Sequence, residues 1–244
     1  MIILVGPAVA KSWLFGSDIR FAIKMRRLWA RSTMWVLGVR IERSGQLPPK
    51  SGCLIVGNHR SYLDPVVVMQ DVEVLPVAKA EVESWPVIGY SVRATGVIYV
   101  KRDDKDSRAA TMDAMQQALR DGYQVLVYPE GTTHKQPVTT RLNPGAFRLA
   151  AAMGVPVVPV AIEYSNENDA WVGDETFIPH FKRTFGRKTT FLKIRYGNPI
   201  HSDSSAVLLS ETKKWLDENM ALLRSEFEAE KTPHGQTAYQ TAER

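Results

Sequence analysis

The chain has 244 residues, of which 44% are hydrophobic and 23% charged. This is ordinary globular composition, long enough for one large domain or two small ones. A lone cysteine, Cys53, excludes an internal disulfide framework and, inside an apolar run, reads as a small core residue. The formal net charge of +5 suits an anionic membrane, a nucleic acid or an acidic substrate.

The opening MIILVGPAVA is apolar but lacks the positive leader of a signal peptide, and Lys11 follows it. No run reaches the roughly 18 apolar residues of a spanning helix. The stretch RFAIKMRRLWAR (20–31) carries five Lys or Arg and no acid. On a helical wheel Phe21, Met25, Leu28, Trp29, Trp35 and Val36 share one third of the circumference, with Arg20, Lys24, Arg27 and Arg31 to one side. Such a helix either packs on the domain and solvates its charges or lies on a membrane. Its aromatic face and one-signed flank favour the membrane over nucleic acid, on the cytoplasmic face where anionic lipid attracts cations. Residues 1–38 therefore read as a membrane-associating helical segment, 39–230 as the main domain, and the polar tail 231–244 as disordered.

From residue 50, short apolar runs alternate with helical patterns. CLIVGN (53–58) reads as a buried strand, and Asp64-Pro65 as the cap and first position of a helix. Strands follow at VEVLPVA (72–78) and GVIYVKR (96–102), with a bent helix between them at 80–95. A helix capped by Ser107 runs to Gly122, then come the strand YQVLVY, a helix ending at Gly154, and strands at 155–164 and 189–200. Segment 165–188 reads as a long irregular insertion, of the kind that covers a site, and 206–230 as an amphipathic helix. Alternating strands and helices imply an α/β domain: a mostly parallel central sheet flanked by helices, preceded by the amphipathic segment.

In open α/β sheets sites collect at the carboxyl ends of strands. Three strands end in reactive sequence: Asn58-His59 before Asp64, Lys101-Arg102, and Glu130-Gly131-Thr132. His59 suits proton transfer near neutral pH, and an Asp bonded to one ring nitrogen frees the other to accept a proton. The bland alternatives are a turn histidine and a plain helix cap. Lys101 and Arg102 could hold an anion or simply be solvated. Glu130-Gly131-Thr132 offers a carboxylate, a flexible Gly and a hydroxyl, or is only a turn. No Gly-x-Ser-x-Gly nucleophile is present, so His59 would activate a substrate hydroxyl for attack on a thioester. His134, His180, His201 and His234 show no metal-ligand spacing, and no metal or cofactor is expected.

Four blocks together resemble the membrane glycerolipid acyltransferases related to 1-acylglycerol-3-phosphate acyltransferase. Asn58, His59 and Asp64 match N-H-x-x-x-x-D. Gly96 to Arg102 match G-x-[IV]-[FY]-[IV]-x-R. Tyr128 to Thr132 match [FY]-P-E-G-T, and 155–160 match V-P-[VI]-[VI]-P-V. The resemblance covers about residues 35–200. It implies that His59 is the general base and Asp64 its orienting partner. Asn58, Gly96, Lys101, Arg102, Glu130, Gly131 and Thr132 would bind the lysolipid acceptor. The acyl donor would be acyl-CoA or acyl-carrier protein. Two family cations are absent: Thr133 stands where Arg usually follows the third block, and Asn143-Pro144 where a Lys precedes the Gly of GAF. The expected acceptor is 1-acylglycerol-3-phosphate. The alternatives are another lysolipid, of lyso-ornithine or lysophosphatidylcholine type, and a silent lipid-binding module.

Overall fold

The structure, a computed structural model, describes residues 19–80, 97–101 and 103–231. The helix expected at 80–95, Gly96, Arg102, the opening apolar segment and the tail beyond Lys231 fall outside the described residues. Seven strands form one sheet: β1 (Val39–Gly45), β2 (Leu54–Gly57), β3 (Val74–Lys79), β4 (Ile98–Val100), β5 (Gln124–Val127), β6 (Val157–Tyr164) and β7 (Thr190–Tyr196). Their order is β1-β7-β6-β2-β5-β3-β4. All neighbours run parallel except β6 and β7, so the sheet is mostly parallel with a reversed edge pair.

The middle strands β2, β5 and β6 are buried along their whole length, which is why they read as unbroken apolar runs instead of alternating ones. Their side chains still alternate between faces. Leu54, Val56, Val125 and Val127 pack one way. They meet Met115 and Leu119 of α3 (Lys105–Arg120), Phe147 of α4 (Gly145–Met153) and Leu216 of α6 (Ser205–Lys231). Ile55, Leu126, Val158 and Ile162 pack the other way. They meet Ala30 and Met34 of α1 (Ile19–Val36) and Val67 and Val68 of α2 (Asp64–Asp71). Cys53 is fully buried, and burial pushes its thiol up to about 12, as a core residue requires.

Helix α1 serves two surroundings. Ile23, Arg26, Ala30 and Met34 face the protein. The opposite face carries Leu28, Trp35 and Val36, which are 46%, 82% and 70% exposed. The stripe read from the wheel is thus split: Leu28, Trp35 and Val36 face outward, whereas Phe21 and Met25 are half-buried and Trp29 packs against the core. Two of the four flanking cations are partly committed elsewhere. The Arg27 guanidinium donates to Gln70 O and Asp71 O at 3.0 and 2.9 Å, and Arg31 to Gln70 O at 3.2 Å. They satisfy the last carbonyls of α2, where the helix dipole is negative. Arg20 and Lys24 remain exposed.

Two local expectations change. The cap of α3 is Asp104, whose Oδ1 accepts from Asp106 N and Ser107 N at 2.9 and 3.2 Å. Asp104 is extended, so its carboxylate reaches the first turn, and its charge complements the dipole. Ser107 Oγ instead accepts from Lys101 N. Segment 165–188 is not irregular, because it contains α5 (Phe177–Phe185) after a short 3-10 turn at Glu167–Asp169. A Phe177–Phe181–Phe185 stripe at four-residue spacing supports that helix.

Asn58, expected to touch substrate, is fully buried just beyond β2. Its amide accepts from Ile162 N at 2.8 Å and donates to Ile162 O at 2.9 Å. Both ends are used, so Asn58 stitches the β2 exit to β6. Asn58→Ala would leave a buried donor and acceptor of β6 unmatched, at about 1–3 kcal/mol for each group. The expected outcome is a lower urea midpoint with unchanged m-value. Unchanged stability with weakened acceptor binding would restore the substrate-binding role.

Candidate active site

β2 and β5 are neighbours, so their carboxyl ends bring the turns 58–64 and 128–134 together. In the first turn the His59 Nδ1 lies 2.9 Å from Asp64 Oδ2. Asp64 is fully buried, whereas the His59 side chain is 20% exposed. The same Oδ2 accepts from Arg60 N at 2.6 Å and Ser61 N at 2.8 Å. Tyr164, at the end of β6, donates its hydroxyl to Oδ1 at 2.7 Å. Asp64 was read as orienting partner or helix cap, and α2 has no side-chain cap bond, so its carboxylate is spent on the turn. With these donors converging on it, the Asp64 carboxylate is the acceptor for the Nδ1 proton. The His59 Nε2 is then the nitrogen that can take a proton from a bound hydroxyl.

Tyr128 lies flat against His59, with ring centroids 4.3 Å apart and planes 17° from parallel. Burial first, and then the Asp64 charge, push its phenol well above its ordinary range, so it is a neutral platform. Gly57 makes room for it: a Cβ there would fall 2.6 Å from Tyr128 Cε1.

The Glu130 carboxylate turns inward. Oε1 accepts from His59 N at 2.9 Å, and Oε2 accepts from Thr140 N and Thr140 Oγ1, each at 3.0 Å. His134 Nε2 also faces Oε2. Burial pushes this carboxyl up, but His134 and the donors of Thr140 and His59 outweigh it and hold it below its ordinary range. Glu130, expected to bind the acceptor, thus orders the turn, with both of its oxygens bonded within the protein. Gly131 adopts φ 78°, a conformation that suits a residue without Cβ, and donates to Tyr128 O. Thr132 is exposed, the one member of the triplet that opens outward.

Lys101 is exposed at the end of β4. β3 stands between β4 and β5, so β4 lies three strand spacings from β2, roughly 14 Å. Lys101 thus stands farther along the sheet from His59 than the Glu130 turn does, and its neighbour Arg102 lies outside the described residues. Segment 165–188 does lie against the turns. Trp171 N donates to Arg60 O at 2.9 Å, and Tyr62 makes edge contacts with Trp171 and Phe177. Thr133 Oγ1 donates to Trp171 O, and Asn143 Nδ2 donates to Pro129 O at 2.8 Å. Both departures from the family pattern are thus structural ties. Tyr164, Thr140, His134 and Arg60 were missed as site residues. Each reaches the site across strands or loops, and its neighbours in the chain carry no sign of that.

The profile of the Acyltransferase family matches residues 38–163. Lyso-ornithine lipid O-acyltransferase of Rhizobium meliloti is 27% identical over 224 residues, covering 84% of this chain and 75% of that protein. Lysophosphatidylcholine acyltransferase 1 of Danio rerio is 31% identical over 173 residues, 68% of this chain but 32% of its own length. The chloroplastic 1-acyl-sn-glycerol-3-phosphate acyltransferase of Arabidopsis thaliana is 27% identical, covering 80% of this chain and 53% of that protein. The crystal structure of the 1-acyl-sn-glycerophosphate acyltransferase PlsC from Thermotoga maritima superposes with a TM-score of 0.65 at 21% identity, covering 90% of this chain and 88% of that one. That likeness shows a shared fold. With more than half of the chain inside the family profile, and His59, Asp64 and the Glu130 turn assembled within it, the chain belongs to the Acyltransferase family.

Proposed function

We propose that the chain is a membrane-surface O-acyltransferase. It moves a fatty acyl group from acyl-CoA or acyl-carrier protein to the free hydroxyl of a lysolipid, with His59 as general base. The observation that supports this most is the Asp64–His59 pair, whose Nδ1 is committed to a buried carboxylate. The hydroxyl proton passes to His59 Nε2 as the oxygen attacks the thioester carbonyl carbon. The carbon–sulfur bond then breaks, and the Nε2 proton goes to the leaving thiolate. No protein nucleophile takes part, because Cys53 is buried with its thiol pushed up.

The acceptor is a lysolipid, and two candidates compete. 1-Acylglycerol-3-phosphate is the acceptor of the resembling family. A lyso-ornithine lipid is favoured by a specific observation: Thr133 and Asn143, in place of cations, bond to Trp171 O and Pro129 O and offer no charge to a phosphomonoester. The lyso-ornithine relative of Rhizobium meliloti also aligns over most of both chains.

Among the described residues no helix is long and apolar enough to cross a membrane. The outward face of α1 fits a helix lying in the interface, its Trp and Leu in the acyl boundary and Arg20 and Lys24 at anionic headgroups. This supports a peripheral position on the membrane surface, and we assign it to the cytoplasmic face because anionic lipid there attracts the cations of α1.

His59→Ala is expected to lower acyl transfer by about 100- to 10,000-fold, the usual share of a general base. The variant should stay folded, with a thermal midpoint lowered by about a few degrees for the lost Asp64 and Tyr128 contacts, and its vesicle binding should stay unchanged. Near-normal turnover would contradict the mechanism. A panel of lysophosphatidate, lyso-ornithine lipid and lysophosphatidylcholine, given to purified enzyme with either donor, identifies the acceptor. Thioester consumption with none of them would favour a silent lipid-binding module. Leu28→Glu with Trp35→Glu is expected to weaken flotation with phosphatidylglycerol vesicles about tenfold or more. Undiminished flotation would remove α1 as the anchor.

A further inference from the structure

His59 is held at three points. Its ring binds Asp64, its N–H donates to Glu130, and its C=O accepts from His134 N at 3.2 Å. Its position therefore depends on how the 58–64 turn is fixed to the 128–136 loop. Arg60 reaches across that gap from the other side. Arg60, adjacent to His59, is 4% exposed in its side chain. Its Nη1 donates to His134 O at 2.9 Å and Gln136 O at 2.7 Å, and lies 3.3 Å from His134 Nδ1. Gln136 N also donates to that Nδ1 at 3.1 Å. With donors at Nδ1, the His134 proton sits on Nε2, facing Glu130 Oε2. Arg60 thus fixes the loop, and Gln136 N, on that same loop, sets the tautomer of the histidine that steadies Glu130.

The other end of the guanidinium is anchored from beneath. Arg60 Nε donates to Glu163 Oε1 at 2.9 Å, and Nη2 faces the same oxygen. Glu163 is a buried residue of β6. Its second oxygen accepts from Arg224 of α6, a residue far along the chain. A buried arginine–carboxylate–arginine chain is weak evidence for stability, since desolvation offsets much of the attraction. What it supplies here is direction: the planar fork of Arg60 fits a carboxylate on one side and two carbonyls on the other.

We infer that Arg60 is a positioning residue for acyl transfer, clamped by Glu163 and by Arg224 of the C-terminal helix. It holds the His59 turn at a fixed distance from the Glu130 loop. This inference rests on the reading of His59 as the general base.

The test is steady-state kinetics of the full-length protein with its best acceptor, alongside thermal midpoints. Arg60→Lys keeps a cation against Glu163 but cannot bridge to His134 O and Gln136 O together. It should keep a near-normal midpoint yet lose about tenfold or more in kcat, with the acceptor KM within about twofold. Arg60→Met should lose up to about 100-fold in kcat. Arg224→Met leaves the Arg60–Glu163 pair in place and should cost kcat only a few-fold. Should Arg60→Met fail to fold, the Lys and Arg224 variants still decide the matter. Wild-type kcat in Arg60→Lys, or a change confined to KM, would overturn the positioning role. If His59→Ala abolishes turnover while the Arg60 variants keep it, this inference alone fails. If His59→Ala also keeps turnover, the general-base reading itself has failed.

Discussion

The site depends on the buried carboxylate of Asp64. Asp64 has no solvent contact, so its oxygens must be met by protein donors. Two backbone N–H groups of its own turn, the Tyr164 hydroxyl and the His59 ring supply them. Much of the local architecture follows from this requirement. The turn must be tight enough to aim Arg60 N and Ser61 N at one oxygen. β6 must end where Tyr164 can reach the other. The helix that starts at Asp64 goes without a side-chain cap bond, because its cap residue is Leu63 and the Asp64 carboxylate is engaged by the preceding turn.

A second carboxylate, Glu130, does the same work for the neighbouring turn. It collects His59 N, Thr140 and His134, and their sum overrides its burial. The two turns therefore meet through donors and acceptors that are nearly all internal, leaving the His59 ring edge and Thr132 toward solvent. The division of labour is clear in physical terms. Among the described residues, those of the two turns largely hold one another. The segment bearing Trp171 and α5 packs directly on Tyr62 of the first turn.

Much of this was legible in the sequence. Unbroken apolar runs marked β2, β5 and β6, since strands buried on both faces need no alternation. The His59–Asp64 pairing was legible because a five-residue offset at a strand end allows a turn to bring the carboxylate back. The wheel of α1 gave a stripe of which Leu28, Trp35 and Val36 face outward, while Trp29 turns against the core. Other features were hidden because they are tertiary. Asn58 and Glu130 look like ligand-binding groups until their partners, Ile162 and Thr140, are seen. Lys101 looked like a neighbour of His59, but strand order is not written in strand sequence, and β3 intervenes. Arg60 and Glu163 each resemble surface charges, and only the fold pairs them. The helix α5 was obscured by Pro179 and by the polar residues before it.

The central claim is that His59 acts on the acceptor hydroxyl directly, with no acyl group carried by the protein. Rapid mixing of the enzyme with labelled acyl thioester in the absence of acceptor tests it most directly. The account predicts no burst of free thiol and no label on the quenched protein, with thiol release beginning only when a hydroxyl-bearing lysolipid is added. A burst stoichiometric with enzyme, or label bound to the chain, would contradict it.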